Sequence, residues 1–523
     1  MLSPPRRQWP TGFALLVGLC AMPSAARSQC VTKIRAVERR DAPIIAATVG
    51  AGAQSILADV TECTIDAQVK QRSLKPQFRL IEPRVRMTYS GGLPDANEDG
   101  ELWVSRGFNV ALRAGFSIDA GPFHATVAPE LVSSTNEFFD HEAARDTSKS
   151  SFASPYNSTA GNSIDLPAQF GANPYRRITA GASAFWISQF GWSVGVSASP
   201  QQWGPGQRGS LLLGAAAAGI PRAFLRTATP LATPIGVFDG VWFLGTVTES
   251  QFFDRNPGND YRALSAFGLA WSPSIRQEFT IGAARGVMRS IDQQIPNAAQ
   301  AFDALSATGK HADDLLSVFA RLGTADSPLS AWVEVARNRD GLSAHSFFTL
   351  PYDAVSYIVG ARGTTAVSHG KLVVLVEAAN LEQGQDIEGQ KPRDFYAGAA
   401  IPQGWTQRGR PIGHWVGPGG QTQFVSSDWV LQRARIGLFV ERTRRNEDAL
   451  FREFLPYPNR HDVSLDIGVR AAAVRRGLEF AVDASLGKRI NFEFQNATYL
   501  TNLRTVDITT PRIRFVLTPV SQR

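Results

Sequence analysis

The chain has 523 residues, 43% of them hydrophobic, 10% aromatic and 19% charged, with 46 glycines and a formal net charge of +7. This composition excludes a disordered chain and does not fit an ordinary helical enzyme. The positive balance suits anionic glycans or lipopolysaccharide phosphates at least as well as nucleic acid.

At the N-terminus Arg6 and Arg7 precede an apolar run from Phe13 to Met22, followed by Pro23 and small residues up to Gln29. That order of charge, short apolar core and small-residue exit reads as a secretory signal peptide over residues 1–28. Ala26 and Ser28 stand at the positions a signal peptidase probes. Export makes nucleic acid implausible as a partner. Gln29 before Cys30 disfavours a lipid anchor, and no later stretch reaches the about 20 apolar residues that a transmembrane helix needs. Cys20 leaves with the signal, so Cys30 and Cys63 are expected to pair as a disulfide in an oxidising compartment. Residues 29–77 lack clean alternation and read as an N-terminal periplasmic segment.

From residue 78 to the C-terminus, period-two alternation dominates. Phe108, Val110, Leu112, Ala114, Phe116 and Ile118 share one face, opposite Asn109, Arg113, Ser117 and Asp119. Val463, Leu465, Ile467 and Val469 oppose Ser464, Asp466 and Arg470, and Leu478, Phe480 and Val482 oppose Glu479 and Asp483. Similar stretches are Pro83 to Tyr89, Ala331 to Ala336, Arg433 to Glu441, Ile490 to Phe494 and Arg512 to Thr518. In an exported chain this pattern predicts a closed antiparallel transmembrane β-barrel over 78–523, apolar side to lipid and charged side to the lumen. Arg84, Arg86, Arg113, Arg433, Arg435, Arg470, Arg512 and Arg514 fall on the polar faces, where pairing with acidic neighbours is favoured over a free cationic surplus.

Between these stretches lie segments of other character. Asp95, Asn97, Asp99 and Gly100 reproduce the start of a calcium loop, but Arg106 stands where the closing Glu belongs, so a hairpin turn is the simpler reading. Residues 135–176, rich in Ser, Asn and Pro, read as a long surface loop. Gly191-Trp192-Ser193-Val194-Gly195 has the spacing of a nucleophile elbow, but its flanks read as hairpin strands rather than strand and helix. Residues 291–314 are compatible with a short helix between strands. The seven histidines show no metal-ligand spacing. No metal, cofactor or catalytic residue is expected.

The run Gln202-Trp203-Gly204-Pro205-Gly206-Gln207-Arg208-Gly209-Ser210-Leu211-Leu212-Leu213 resembles the W-G-P-G-x-x-x-S-L-x-L signature of the Wzi capsule assembly family, with Ile220, Pro221, Arg222 and Arg226 following as they do there. Leu264 to Met288, Asp313-Asp314-Leu315 to Arg321, and Gly413-His414-Trp415-Val416-Gly417-Pro418 look like further segments of that family. The resemblance implies an all-β barrel of 18 strands with a loop-plugged lumen. It also implies an outer-membrane location and binding of capsular polysaccharide at the cell surface. Trp203 and Trp415 then offer stacking faces, and Arg208, Arg222 and His414 donors to sugar carboxylates or hydroxyls. Gly204, Pro205 and Gly206 supply a rigid turn. The expected partners are surface polysaccharide, outer-membrane lipids and lipopolysaccharide, and the barrel assembly machinery. The competing function is a channel for small solutes, distinguishable by whether the lumen is filled.

Overall fold

The computed structural model describes residues 57–59, 76–144, 149–156, 163–228, 230–274, 278–306, 311–324, 327–338, 355–383, 394–453, 460–495 and 506–519. The expected signal peptide, Cys30 and Cys63 lie outside the described residues.

The alternating stretches form the staves of one closed barrel. In chain order they are β1 (Gln77–Ser90), β2 (Gly107–Ala120), β3 (Phe123–Val127 and Glu130–Ser134), β4 (Tyr175–Thr179 and Ala182–Ile187), β5 (Trp192–Ser197) and β6 (Arg222–Thr227 and Leu231–Thr233). Next come β7 (Gly236–Thr248), β8 (Tyr261–Ser272), β9 (Phe279–Ile291), β10 (Ala312–Leu322), β11 (Leu329–Asn338) and β12 (Val355–Val367). The last six are β13 (Gly370–Asn380), β14 (Gln421–Val430), β15 (Ala434–Arg445), β16 (Asp462–Arg475), β17 (Leu478–Ile490) and β18 (Ile508–Pro519). Each pairs antiparallel with its sequence neighbours, and the ring closes where Val85 to Ser90 of β1 meet Leu517 to Arg512 of β18. The described residues thus give the expected 18 staves. Lipid offers no hydrogen-bond partner, so a closed ladder that satisfies every stave is the only β-structure that can stand in it.

Exposure follows the alternation. Phe108, Val110, Leu465, Ile467, Val469, Val482 and Ile513 face outward and are exposed, while Asn109, Ser464, Arg470, Asp483, Arg512 and Arg514 are buried inside. Where the ladder bends, the chain supplies the right residue. Pro129 interrupts β3 opposite the break in β4, and Gly181 there has φ +48°; an added Cβ would lie 2.0 Å from the Ala128 carbonyl. Only glycine fits that approach.

Short connections (121–122, 234–235, 368–369, 476–477) alternate with long ones (91–106, 135–174, 198–221, 381–420). By the rule for such barrels, the short turns mark the periplasmic end and the long loops the cell exterior. Several long loops turn inward. The segment expected as a surface loop, 135–176, gives way to β4 at Tyr175 and buries Phe139, Tyr156, Ile164 and Phe170. From the segment expected to be periplasmic, Leu57–Asp59 pairs with Gln201–Trp203, and Leu57 is buried against the lumen side of β8 at Gly268.

Two stretches depart from the sequence reading. Ile490 to Phe494 is not a strand: β17 ends at Ile490, and Phe492–Phe494 is a 3-10 turn. Residues 291–314 do hold a helix, the 3-10 segment Ala298–Leu305, but it lies against the outer wall. Alternation sends Ala263 and Ser265 of β8 outward, yet both are buried beneath it. Trp242 Nε1 and Ser265 Oγ both donate to the Ala301 carbonyl at 2.7 Å. Outward-facing Arg285 donates to Ser306 O at 2.6 Å and pairs with Asp314 at 3.0 Å, and Arg289 pairs with Asp303 at 3.2 Å. The helix thereby covers charges on the lipid side and presents Phe302 and Leu305 outward in their place.

Candidate functional site

One side of the lumen is packed with apolar side chains and the other carries ion pairs. On the apolar side, Leu57, Trp203, Leu211, Leu212, Phe395, Trp405 and Ile412 from inserted segments pack with wall residues Phe185, Phe224, Phe243, Phe319, Trp332 and Ile358 in one cluster. On the other side Asp99 receives Arg86 and Arg514, each at 3.1 Å. Arg512 pairs with Asp95 and with Asp483 at 3.9 Å, and Arg470 reaches Asp428 at 2.6 Å. Asp95 and Asp99 of the calcium-like loop are thus directed at arginines. Arg84 and Arg435 are half-buried on their staves, and Arg433 is exposed in the turn after β14.

The segment resembling the family signature is anchored by wall carboxylates. Glu377 of β13 accepts the backbone N–H groups of Gln207 and Arg208 at 2.6 and 2.7 Å and the Trp332 indole N–H at 2.9 Å. Glu334 of β11 accepts Leu211 N–H at 3.0 Å and the Ser317 hydroxyl at 2.8 Å. Gly204 has φ +123°, and an added Cβ there would lie 2.5 Å from the Glu334 carboxylate. The glycines of the motif therefore let loop backbone close on two carboxylates. Asp313 of β10 repeats the device on another loop, accepting Ala399, Ala400 and Ile401 N–H at 2.9, 2.9 and 2.8 Å.

Four of the five proposed binding residues, Trp203, Arg208, His414 and Trp415, lie on the inserted segments, and Arg222 opens stave β6. Trp203 is fully buried, edge-on to Phe243 at 5.5 Å. Arg208 pairs with Glu441 and lies 4.0 Å over the Phe424 ring. Arg222 donates to the carbonyls of Ser199 and Ile220 at 2.8 and 3.0 Å. His414 N–H donates to the Tyr396 hydroxyl at 2.7 Å, which donates to Leu211 O at 2.9 Å, and the His414 ring stacks on Trp415 at 5.7 Å. Burial raises the pKa of Tyr396, so its hydroxyl stays a donor. The structure brings the Trp203 and His414 segments together through Tyr396, but it buries their faces rather than offering them to the exterior. Ser193 sits within strand β5, buried on the lumen side, so the strand-to-helix turn of a nucleophile elbow is not formed there.

At the exterior end, a cleft of about 560 Å³ opens between loops 135–174 and 249–260 and the hairpin Thr406–Pro411. Phe152, Phe170, Tyr175, Phe252, Arg177 and Arg408 line it. Phe252 meets Phe152 and Phe170 edge-on at 6.0 and 5.8 Å. Arg177 and Arg408 converge on Glu101 at 3.4 and 3.2 Å, and Tyr175 Oη donates to the same carboxylate at 3.1 Å. Arg176 stands at the rim, with no ion pair among the described residues. Burial raises the pKa of Glu249, in the lining, to about 7, and Arg176, Arg177 and Arg408 outnumber Glu249 and Glu101, so the cleft is net positive.

Sequence reasoning missed both the anchors and the cleft. Glu334 and Glu377 carried a signal, as the lone carboxylates of their staves. The cleft residues come from segments far apart in sequence and carried none.

The model of the family described as capsule assembly protein Wzi matches residues 94–498. No curated protein matches the chain. Among solved structures the chain is similar to Wzi of Escherichia coli, a carbohydrate-binding β-barrel of the outer membrane involved in group 1 capsule assembly. Identity is 14% over 84% of this chain and 85% of that one, with a TM-score of 0.55. The outer membrane channel DcaP of Acinetobacter baumannii aligns with 85% of this chain and 97% of its own, at 11% identity and a TM-score of 0.33. OccK7 of Pseudomonas aeruginosa aligns with 85% of this chain and 98% of its own, at 8% identity and a TM-score of 0.39. At such identities a likeness speaks to the fold alone.

Proposed function

We propose that this chain, which belongs to the Wzi capsule assembly family, is an outer-membrane barrel that binds polysaccharide at the cell surface and anchors it there. The observation that carries this reading is the filled lumen. A solute channel needs an open polar path, whereas here Trp203, Trp405, Phe395 and the Leu211 to Leu213 run pack against the wall across the barrel. The work is then left to the exterior end, where loops and a charged aromatic cleft face the surroundings. Binding, not catalysis, is the activity these features support. A polymer held by many copies on one cell gains avidity, so modest affinity at each barrel suffices to retain it.

The test is to delete the chain from a cell that makes surface polysaccharide and measure the fraction that remains cell-associated. The expected result is release of polymer into the medium, reversed by the restored chain. Equal retention with and without it would overturn the reading.

A further inference from the structure

The exterior cleft combines three features that a lining with only a packing role does not require. Its aromatic side chains are incompletely covered: Phe152, Tyr175 and Phe252 are half-buried, although each lies against another ring. Aromatic faces of this kind stack on the C–H faces of sugars. Its cations are also only partly used. Arg177 and Arg408 share one carboxylate, Glu101, and their side chains remain 43% and 31% exposed. Each guanidinium presents several N–H groups in a plane, so both retain donors for a second carboxylate.

The third feature is the placement of Arg408. It occupies the tip of a two-residue hairpin with φ +49°, next to Gly409 at +77°. Turns of this hand favour Asn-Gly or Gly-Gly, because a side chain at positive φ is strained. The turn geometry does not account for an arginine here. What the residue supplies is a guanidinium projected into the cleft. The volume lies in the range of small-ligand sites.

We propose that this cleft is where the polymer is gripped, and that it takes a uronic acid unit, the sugar ring against Phe152 and Phe252 and the carboxylate held by Arg177 and Arg408. The inference rests on the polysaccharide-binding reading above and adds the site and the sugar class. Arg176 at the rim adds long-range attraction for the next acidic unit of the chain.

The experiment uses the full-length barrel in detergent and, as probe, the polysaccharide shed by the cells that carry it, either native or with its carboxyl groups reduced to alcohols. Wild-type barrel is expected to bind the native polymer at least tenfold more tightly than the reduced one. The double variant Arg177→Gln/Arg408→Gln should lose that preference, and Phe252→Ala should weaken both forms. Heat-modifiable migration confirms folding, and the comparison of native with reduced polymer on wild type decides the sugar class even if a variant fails to fold. Equal binding of the two polymers by wild type overturns the uronate assignment. Undiminished native binding by the folded double variant overturns the cleft but leaves surface polysaccharide binding intact. Wild-type barrel that binds neither polymer overturns both.

Discussion

At the scale of single residues, the recurrent device is a wall carboxylate that accepts loop backbone. Glu334, Glu377 and Asp313 each project inward from a stave and gather N–H groups that would otherwise be buried without partners. An amide buried without an acceptor costs about 1–3 kcal/mol. Glu377→Ala strands Gln207 and Arg208 N–H together and also removes a partner from the Trp332 indole. The expected result is a barrel that still forms but whose plug loosens, seen as new trypsin cleavage after Arg208 and a lower temperature of heat-modifiable unfolding. Glu377→Gln, which can still accept, should be milder. A wild-type cleavage pattern in the alanine variant would show that the plug is held by its apolar contacts alone.

At the scale of the element, the 3-10 segment Ala298–Leu305 shows that a side chain turned outward by alternation need not meet lipid. Arg285, Arg289 and Asp314 fall on the lipid side of their staves, and the segment covers them. Its start is fixed by a capping box, with Asn297 accepting Ala299 N–H at 3.0 Å and Gln300 returning to Asn297 N–H at 2.9 Å. An uncompensated arginine near the bilayer midplane costs about 2–4 kcal/mol in such barrels. Asp314→Ala should therefore destabilise the barrel in liposomes by up to that amount, measured by urea unfolding. The double variant Asp314→Ala/Arg285→Leu should recover most of the loss. If the single variant unfolds like wild type, the segment and its carbonyls suffice to shield Arg285. Inward positions are not permissive either: Ser464 accepts Arg445 at 2.9 Å, and the Asn109 amide is donated to the carbonyls of Thr88, Ser105 and Gly107. Added charge at these buried sites meets side chains and loop backbone rather than water.

At the scale of the whole molecule, the closed wall and the inserted loops divide the work. The wall supplies a lipid-compatible exterior, and the loops convert its interior from a pore to a core with an ionic side and an apolar side. Purified barrel in a planar bilayer should show little or no steady conductance. Deletion of residues 204–213, which removes the segment joining Glu334, Glu377 and Tyr396, should introduce one. Steady conductance of the intact barrel at the level of its deleted form would return the channel reading to first place.

The sequence by itself determined the wall. Period-two alternation fixes which side chains turn outward, because neighbouring residues of a strand point to opposite faces, and Phe108 to Ile118, Val463 to Arg470 and Leu478 to Asp483 fall as the pattern requires. It also marked the Trp203 and His414 segments as special, both as a plug for the lumen and as binding faces, and the structure buries them in the first role. Their burial was not legible, because it depends on Glu334, Glu377 and Tyr396, which lie 123 to 185 residues from their partners in the signature segment. The outer-wall helix and the exterior cleft were decided by tertiary structure for the same reason. Local patterns encode how a residue faces its own strand, whereas a loop's destination is set by which distant donors and acceptors the closed barrel brings within reach.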